Sequence, residues 1–243
     1  MISIIIPAYN QHDLTEQCIQ SVCRHTAGQM EIILVDNGSS PRYAGAGADL
    51  TIRNEANLGF PVAVNQGISA ARGETVVLLN NDVIVTPEWA KSLAASLVQY
   101  AIVAPLTNYC AGMQRVTLPA YENEAELDQV AKDFAEQHHQ HSTPVNWIIG
   151  FCMAFRKSLW EEIGPFDESL WPCSGEEIDF CLRARAAGYK IGIARDVYVH
   201  HFGSQTFQDM HTAGQLEYNK IVDRNNAHLA EKWGESWVKQ SAA

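Results

Sequence analysis

Basic residues are scarce in this sequence. Its 243 residues include 17 Lys and Arg against 28 Asp and Glu, which gives a formal net charge of −11. Proteins that hold a nucleic-acid backbone do so with clustered cations that replace its counterions, so this composition predicts no nucleic-acid partner. An anionic ligand would have to be held by backbone dipoles or by a metal ion that bridges a carboxylate to a phosphate.

Long hydrophobic runs are also missing. The first apolar run, residues 2–6, has no basic segment before it and is far shorter than the roughly 20 residues that span a bilayer. The six cysteines form no Cys-x-x-Cys pair, and most lie in apolar stretches, where a thiol packs as a small hydrophobic group. We therefore expect a cytoplasmic protein without a transmembrane segment.

No internal repeat, low-complexity tract or Pro/Ser-rich linker divides the sequence. Hydrophobic residues make up 47% and charged residues 19%, which is typical of a globular protein. A chain of this length can fill one α/β unit with a single core. We therefore expect one domain over residues 1–243.

Short apolar runs alternate with helical patterns over about residues 1–100. This alternation is typical of βαβ units around a mostly parallel sheet. Gly73 is expected in the left-handed position that ends the second helix. The expected strands are 2–6, 31–35, 50–53 and 75–79, and the expected helices are 13–25, 60–72 and a third that opens at 86–88.

The second half of the sequence has a mixed pattern. Strands are expected at 101–105, 115–118, 145–155, 190–194 and 197–200, and helices at 124–139, 176–187 and about 210–233. The predicted fold class is therefore α/β, with a mostly parallel central sheet flanked by helices and a mixed C-terminal half.

Polar residues follow each expected strand of the first half, and in open α/β sheets ligands bind beyond the carboxyl ends of the strands. The carboxylates of Asp36 and Asp82 are suited to accepting a hydrogen bond from a nucleobase N–H and to binding a divalent cation. The segments that carry them are rich in asparagine, which is also common in plain surface turns. Neither G-x-G-x-x-G nor G-x-x-x-x-G-K-[ST] occurs there, which disfavours the usual dinucleotide fold and a P-loop. The segments are Pro7-Ala8-Tyr9-Asn10, Asp36-Asn37-Gly38-Ser39-Ser40, residues 54–57 and Asn80-Asn81-Asp82.

These segments resemble, in order and spacing, the inverting family-2 glycosyltransferases with the GT-A fold. The first half carries SIIIPAYN, EIILVDNGSS, ANLGFPVAVNQGISAARGE and LLNNDV, and the second carries WIIGFCMAFRKSLWEEIGPFDESLW, SGEEIDFCLRARAAGYKI and VYVHHFGSQTF. The resemblance implies a nucleotide-sugar half over about 1–100, an acceptor and catalytic half over about 101–208, and a C-terminal helical tail over about 209–243.

The resemblance implies a donor site in the first half. Tyr9 would lie against the base, and Asp36 would accept its N3–H. Asp82 closes the Asn80-Asn81-Asp82 version of the family's DXD element and would hold Mn²⁺ or Mg²⁺ on the diphosphate, with His201 nearby. Asn80 would be a weaker ligand than the usual carboxylate. Further nucleotide-binding candidates are Pro7, Asn57, Asn65 and Asn81.

Relatives supply the general base from a Glu-Asp pair at the start of a helix, and this sequence has Glu176-Glu177 there. Glu177 would take the proton of the acceptor hydroxyl, with Asp179 as the reserve candidate. The segment from Ser174 to Glu177 also fits a capping box. In that case the Glu177 carboxylate only accepts a hydrogen bond from the backbone N–H of the N-cap residue.

The implied activity is metal-dependent, inverting transfer of a sugar from a UDP- or dTDP-sugar to a hydroxyl of a glycan, lipid-linked or protein acceptor, in surface polysaccharide or glycoconjugate synthesis. Trp171 and Trp147 are the candidates to line the acceptor site. A membrane-bound acceptor would be reached by peripheral contact.

Two alternatives stay open. A binding module that has lost turnover is one, because Asn80 and Glu177 replace the expected aspartates. A sugar nucleotidyltransferase is the other, although its glycine-rich basic loop is missing.

Overall fold

The computed structural model describes residues 1–138, 141–203 and 217–235. Within these ranges the strands are β1 (Ile2–Ala8), β2 (Met30–Asn37), β3 (Leu50–Asn54), β4 (Thr75–Leu79), β5 (Val83–Ile84), β6 (Ile102–Thr107), β7 (Ser142–Val145), β8 (Cys152–Arg156) and β9 (Ile191–His201). The helices are α1 (His12–His25), α2 (Phe60–Ala70), α3 (Trp89–Ser96), α4 (Glu124–Gln137), α5 (Lys157–Ile163), α6 (Glu176–Ala186) and α7 (Tyr218–Trp233).

The strands form one sheet in the order β3-β2-β1-β4-β8-β6-β9-β5, and β7 pairs with β9. The strands β1, β2, β3 and β4 are parallel to one another. β8 is antiparallel to both β4 and β6, whereas β9 is parallel to β6 and antiparallel to β5 and β7. The predicted α/β class, parallel at first and mixed later, is confirmed.

Helices cover both faces of the sheet because successive side chains of its central strands point to opposite sides. Ile4 and Ile6 of β1 pack into a cluster with the apolar faces of α1 and α3. Ile5 packs on the other face, in a cluster that includes apolar residues of α2, α4, α5 and α6. Burial on both faces explains why the strands read as continuous apolar runs rather than alternating ones.

The predicted strand at 145–155 is wrong in its extent. The chain forms β7 up to Val145, turns through residues 146–151, and resumes as β8 at Cys152. Conversely, the two strands predicted at 190–194 and 197–200 are one strand, β9. Residues 115–118 form only an isolated bridge between Thr107 and Arg115.

Two helix ends also differ from the prediction. α3 starts at Trp89 rather than at 86–88, because the Thr86 hydroxyl donates to the carbonyl of Tyr198 instead of capping a helix. α2 ends at Ala70, and Gly73 does not adopt a left-handed φ. Gly73 is required for space, since a Cβ there would lie 2.7 Å from Oγ of Ser3.

The predicted C-terminal helix is present over Tyr218–Trp233, and residues 210–216 of that prediction lie outside the described ranges. None of the helices that the structure describes is long and apolar enough to cross a membrane.

The loops at the carboxyl ends of β1 and β2 are bonded to each other. The backbone N–H of Asn10 donates to Oγ of Ser39 at 2.8 Å, and the N–H of Ser40 donates to Oδ1 of Asn10 at 2.8 Å. Asn10 has a left-handed φ of 55°, which asparagine tolerates better than most residues. The fold therefore brings the polar segments after these strands together, as expected.

Candidate active site

Asp36, at the end of β2, is fully buried, and groups of its own loop bind its carboxylate. The N–H groups of Ser39 and Tyr43 donate to it at 3.0 and 3.1 Å, and Arg53 forms an ion pair with Oδ1 at 2.9 Å. Burial opposes ionisation, but these partners outweigh it and hold the pKa of Asp36 below its usual range. The carboxylate therefore holds the loop after β2 in its conformation.

The asparagines beside Asp36 form a bonded amide cluster that the sequence did not predict. Nδ2 of Asn37 donates to Oδ1 of Asn57 at 3.0 Å, and Nδ2 of Asn54 donates to Oδ1 of Asn37 at 2.9 Å. Asn54 and Gln66 exchange two further side-chain hydrogen bonds. Asn57 also accepts from the N–H of Gly59. The cluster fixes the approach to α2.

Asp82 and His201 come together at the sheet edge, as the resemblance implied. Nε2 of His201 lies 3.2 Å from Oδ1 of Asp82, and both side chains are buried. The strands β5 and β9 set this proximity, because Val83 and His201 are paired in register. The N–H of Phe202 donates to the carbonyl of Asp82 at 3.0 Å and ties the two chain segments again.

The other ring nitrogen of His201 is fixed by a residue that the sequence analysis missed. Nδ1 lies 2.8 Å from the carbonyl oxygen of Tyr109, which can only accept, so Nδ1 carries a hydrogen. Burial opposes protonation of the imidazole, but the nearby Asp82 carboxylate outweighs it and raises the pKa of His201. Asn108 also exchanges two hydrogen bonds with the His201 backbone.

This pair fits a divalent cation. With Nδ1 protonated, a neutral imidazole presents the Nε2 lone pair toward Asp82. Nε2 is buried and, within the ranges described, completes no hydrogen bond of good geometry. Carboxylate oxygen and imidazole nitrogen are both ligands for Mn²⁺. The same ranges contain no group of three or more His, Cys, Asp and Glu placed to hold a metal, so an ion here would need ligands from a substrate.

Asn80 and Asn81 hold the loop that carries Asp82. The N–H of Asn80 donates to the carbonyl of Phe151 at 2.9 Å, and its carbonyl faces the thiol of Cys18. Nδ2 of Asn81 donates to Oγ1 of Thr15 at 2.9 Å. The Asn81 side chain is thus bonded to α1.

Glu177 lies at the first turn of α6, half-buried, with backbone N–H groups around its carboxylate. The N–H of Gly175 donates to Oε2 at 3.1 Å, and the amide of Gly150 is a further donor. Burial nevertheless raises the pKa of Glu177. The hydrogen bond from the Gly175 N–H is the one expected if Glu177 caps the helix, but the N-cap residue is Gly175 rather than Ser174.

Glu176 is buried, and its Oε2 has no hydrogen-bond partner among the residues described. Burial raises the pKa of Glu176 well above its usual value, and the neighbouring Glu177 charge raises it further. Two adjacent carboxyl groups that share a buried environment do not both ionise readily, so Glu176 is expected to be the neutral member.

Asp179, the reserve base, is fully buried and bonded on both carboxylate oxygens. Nε of Arg183 donates to Oδ2 at 2.8 Å, Nε1 of Trp233 donates to Oδ1 at 2.9 Å, and Nζ of Lys232 forms an ion pair with Oδ1. The carboxylate therefore links α6 to α7, which leaves it poorly suited to receive a substrate proton.

Glu177 and His201 both contact one short segment of the chain, residues 150–151. A Cβ at Gly150 would lie 3.0 Å from Cβ of Glu177, so only glycine fits there without displacing Glu177. The next residue, Phe151, stacks on the His201 ring with centroids 5.3 Å apart. The turn between β7 and β8 thus contacts both Glu177 and His201 through adjacent residues.

The two tryptophans differ in exposure. Trp171 is 48% exposed and lies over Gly59, where a Cβ would be 2.5 Å from Cδ1 of the indole. It therefore borders the first half of the chain. Trp147 is partly buried against the cluster of Leu170, Ile178, Leu182 and Leu229, and its Nε1 has no hydrogen-bond partner among the described residues.

The remaining nucleotide-binding candidates differ in burial and in their hydrogen-bond partners. Pro7 is buried within β1, while Tyr9 is partly exposed just after it. Asn65, in α2, is buried and uses both ends of its amide within the protein. Its Nδ2 donates to the carbonyl of Phe166 and to Oε1 of Glu168, and its Oδ1 accepts from the Phe166 N–H. Asn65 therefore ties α2 to the second half.

The family model described as Glycosyl transferase family 2 matches residues 3–164. The chain belongs to glycosyl transferase family 2. The uncharacterized glycosyltransferase EpsJ of Bacillus subtilis is 30% identical over 180 residues, 70% of this chain and 52% of EpsJ. The low-salt glycan biosynthesis hexosyltransferase Agl10 of Haloferax volcanii is 28% identical over 94% of this chain and 75% of Agl10. The chain therefore spans only about half the length of EpsJ.

Solved structures support the GT-A fold for this family-2 chain. The structure of GalNAc-T7 with UDP, GalNAc and Mn²⁺ superposes with a TM-score of 0.64 over 83% of this chain and 43% of that one, at 18% identity. The structure of S. aureus TarS 1–349 superposes with a TM-score of 0.58 over 98% of this chain and 72% of that one, at 17% identity. The expected fold is confirmed.

Proposed function

We propose that this protein is a metal-dependent, inverting glycosyltransferase that moves a sugar from a UDP- or dTDP-sugar to a hydroxyl acceptor. The observation that carries the proposal is that Glu177 lies against Gly150, while His201, which lies beside Asp82, stacks on the adjacent Phe151. A group able to take a proton and a group able to hold a diphosphate-bound cation thus lie at the same edge of the sheet.

Glu177 is the proposed general base. As the acceptor oxygen attacks the anomeric carbon from the face opposite the diphosphate, the hydroxyl proton passes to the Glu177 carboxylate. The new carbon–oxygen bond forms while the bond to the diphosphate breaks. A carboxyl pKa raised by burial suits this step, because a base works best when its pKa approaches the working pH.

Asp82 and His201 are the proposed protein ligands of Mn²⁺ or Mg²⁺, with Asn80 as a weak third. When bound, the ion would neutralise the charge that develops on the leaving diphosphate. Tyr109 orients His201 through its carbonyl, and Asn81 anchors the loop of Asp82 to α1. These contacts hold the two ligands in place without any lysine or arginine, which agrees with the acidic composition.

The donor base is proposed to lie between Tyr9 and the loop of Asp36. Ionised Asp36 could accept the N3–H of uracil or thymine if the base approached the loop, while Ser39 and Tyr43 keep the carboxylate charged. The UDP in the GalNAc-T7 structure favours uridine as the first choice for this chain.

Trp171 is the proposed acceptor-side platform, since an exposed indole can stack on a sugar ring. The described cysteines are free thiols, which supports a cytoplasmic protein, with peripheral membrane contact if the acceptor is lipid-linked. Agl10 carries glycan biosynthesis in its name, and we propose a role in surface polysaccharide or glycoconjugate synthesis for this chain as well.

A second candidate is a nucleotide-binding module of the same fold without turnover. The hydrogen bond from the Gly175 N–H to Glu177 favours it, because that carboxylate could serve as a cap alone.

One experiment separates the two candidates. The protein is incubated with Mn²⁺ and UDP-glucose, UDP-galactose, UDP-N-acetylglucosamine or dTDP-rhamnose, with a panel of simple glycosides as acceptors. We expect release of the nucleoside diphosphate and a product whose anomeric configuration, by NMR, is opposite to that of the donor. Retention of configuration would contradict the direct-displacement mechanism, and nucleotide binding without any release would favour the module.

A further inference from the structure

The loop that connects Trp171 to Glu177 is held almost entirely by α7. Buried Asn225 places its Nδ2 at 3.0 Å from the carbonyl oxygen of Leu170 and at 2.8 Å from those of Cys173 and Ser174. The two hydrogens of this amide thus face three backbone carbonyls, so at least one hydrogen is shared between two acceptors.

We call residues 170–174 the 170–174 loop. Its two remaining carbonyl groups, those of Trp171 and Pro172, also accept hydrogen bonds. Nη2 of Arg224 donates to the carbonyl of Trp171. The N–H of Phe60, the first residue of α2, donates to the carbonyl of Pro172 at 2.6 Å. Arg224 also donates to Oδ1 of Asn225 and thereby orients its amide. Five consecutive carbonyl groups are thus fixed, four of them by two adjacent residues of α7.

The 170–174 loop needs this support because of its backbone conformation. Ser174 has a φ of 81° and Gly175 a φ of 100°, and a left-handed serine is unfavourable without bonds that impose it. These two residues lead directly into Glu176 and Glu177. The direction in which α6 starts, and with it the position of the Glu177 carboxylate, therefore depends on contacts made by α7.

Further contacts attach α7 to the same region. Leu229 packs with Leu170, Ile178 and Leu182, and a Cβ at Gly175 would lie 3.0 Å from Cδ1 of Leu229. Trp233 and Lys232 bind the carboxylate of Asp179, as described above. α7 therefore contacts both the 170–174 loop and the first turn of α6.

We propose that Asn225 is a positioning residue for the transfer reaction, which holds the 170–174 loop so that Trp171 and Glu177 face the acceptor. The inference rests on the proposed function. It assigns to the C-terminal helix a part in acceptor-side chemistry, while the donor edge at Asp36 and Asp82 is formed by other elements. Loss of the Asn225 amide should therefore affect turnover and leave nucleotide binding unchanged.

The test uses N225D in the full chain, since aspartate keeps the shape of asparagine and removes the donor. N226D is the matched control, because Asn226 is the exposed neighbour on the same helix. We expect N225D to lower kcat about 10- to 100-fold, the range produced by a small misplacement of a reacting group. The dissociation constant of UDP with Mn²⁺ should stay within twofold of wild type, and N226D should match wild type in both.

A double variant asks whether Asn225 acts through Glu177. If it does, N225D/E177Q should turn over UDP-sugar no more slowly than E177Q alone, because the positioned group is already gone. Full additivity of the two losses would overturn the positioning role. N225A serves as a second variant if N225D fails to fold.

Hydrogen exchange provides a readout that needs no turnover. N225D should speed exchange of the amides of residues 173–177 relative to N226D. Equal exchange and equal kcat in the two variants would contradict the inference alone. Absence of any UDP release by the wild-type protein would instead contradict the proposed function, and faster exchange in N225D would still support the loop contact.

Discussion

Nε2 of His201 lies 3.2 Å from Oδ1 of Asp82, between two strands that pair antiparallel at this edge of the sheet. The carbonyl of Tyr109 binds Nδ1, so the imidazole nitrogen that remains is the one that faces the carboxylate. The two side chains are thus held against each other as a pair, rather than as two independent strand-end residues.

Replacing His201 should weaken metal-dependent nucleotide binding. We expect H201A to lower the affinity for UDP about 10- to 100-fold in the presence of Mn²⁺, and to leave binding in EDTA unchanged. Calorimetric titration of UDP measures both. H141A is the control, because His141 is exposed. An H201A affinity equal to that of H141A in Mn²⁺ would remove His201 from the ligand set.

Replacing Glu177 should abolish turnover selectively. E177Q keeps the size of the side chain and removes its basicity, so kcat should fall about 100- to 10,000-fold while the dissociation constant of UDP stays the same. Release of UDP from UDP-sugar measures the first quantity and calorimetry the second. E161Q, at an exposed position of α5, should behave as wild type. Wild-type turnover by E177Q would mean that Glu177 is only a helix cap.

The pH dependence of the rate should reflect the burial of Glu177. Burial raises its pKa, and the carboxylate is the active form, so kcat/KM should fall as the pH drops through this raised value. The acid limb should lie above the pH at which an ordinary glutamate titrates, about 4.3.

The titratable groups near Glu177 also have raised pKa values, so each of them favours its neutral form. These groups are Glu176, Cys173, Cys181 and Tyr218. A limb near the ordinary glutamate value, measured over pH 4 to 9 in constant ionic strength, would argue against a buried base.

Removing Arg53 should destabilise the protein. R53A removes the ion pair of the buried Asp36 carboxylate and leaves its hydrogen bonds from Ser39 and Tyr43, and we expect a loss of about 2 to 3 kcal/mol in the free energy of unfolding. The pKa of Asp36 is lowered in the fold, so this stabilisation is present above the unfolded pKa and disappears as the pH falls through the folded one.

Urea denaturation at pH 7 and pH 3 measures the Arg53 effect. R42A removes an exposed arginine from the same loop and should cost less than about 0.5 kcal/mol. A difference between R53A and wild type that never shrinks as the pH is lowered to the acid limit of folding would contradict the assignment to the Asp36 charge.

The proximity of Asp82 and His201 was predictable only through the resemblance to the family, because a histidine at the end of an apolar strand carries no such signal by itself. The sequence could not predict the contacts of Asp179, because Trp233 and Lys232 reach it from a helix whose docking depends on tertiary packing. Asn225 gave no signal at all, since a single buried amide in a polar helix has no periodic pattern.

The turn at residues 146–151 was missed for a similar reason. Most of its residues are apolar and read as a continuous strand, yet Gly150 approaches Glu177 closely and Phe151 stacks on His201. The close approach is a property of the assembled site, and no local sequence preference encodes it.

Titration of UDP, dTDP and GDP into the protein, with and without Mn²⁺, tests the central claim most directly because it requires no acceptor. The account predicts that UDP or dTDP binds with Mn²⁺, that removing the ion weakens binding at least about tenfold, and that D82A loses this dependence while D223N retains it. Equal affinity with and without Mn²⁺, or no binding of any nucleotide by the folded protein, would contradict a metal-dependent donor site at Asp82 and His201.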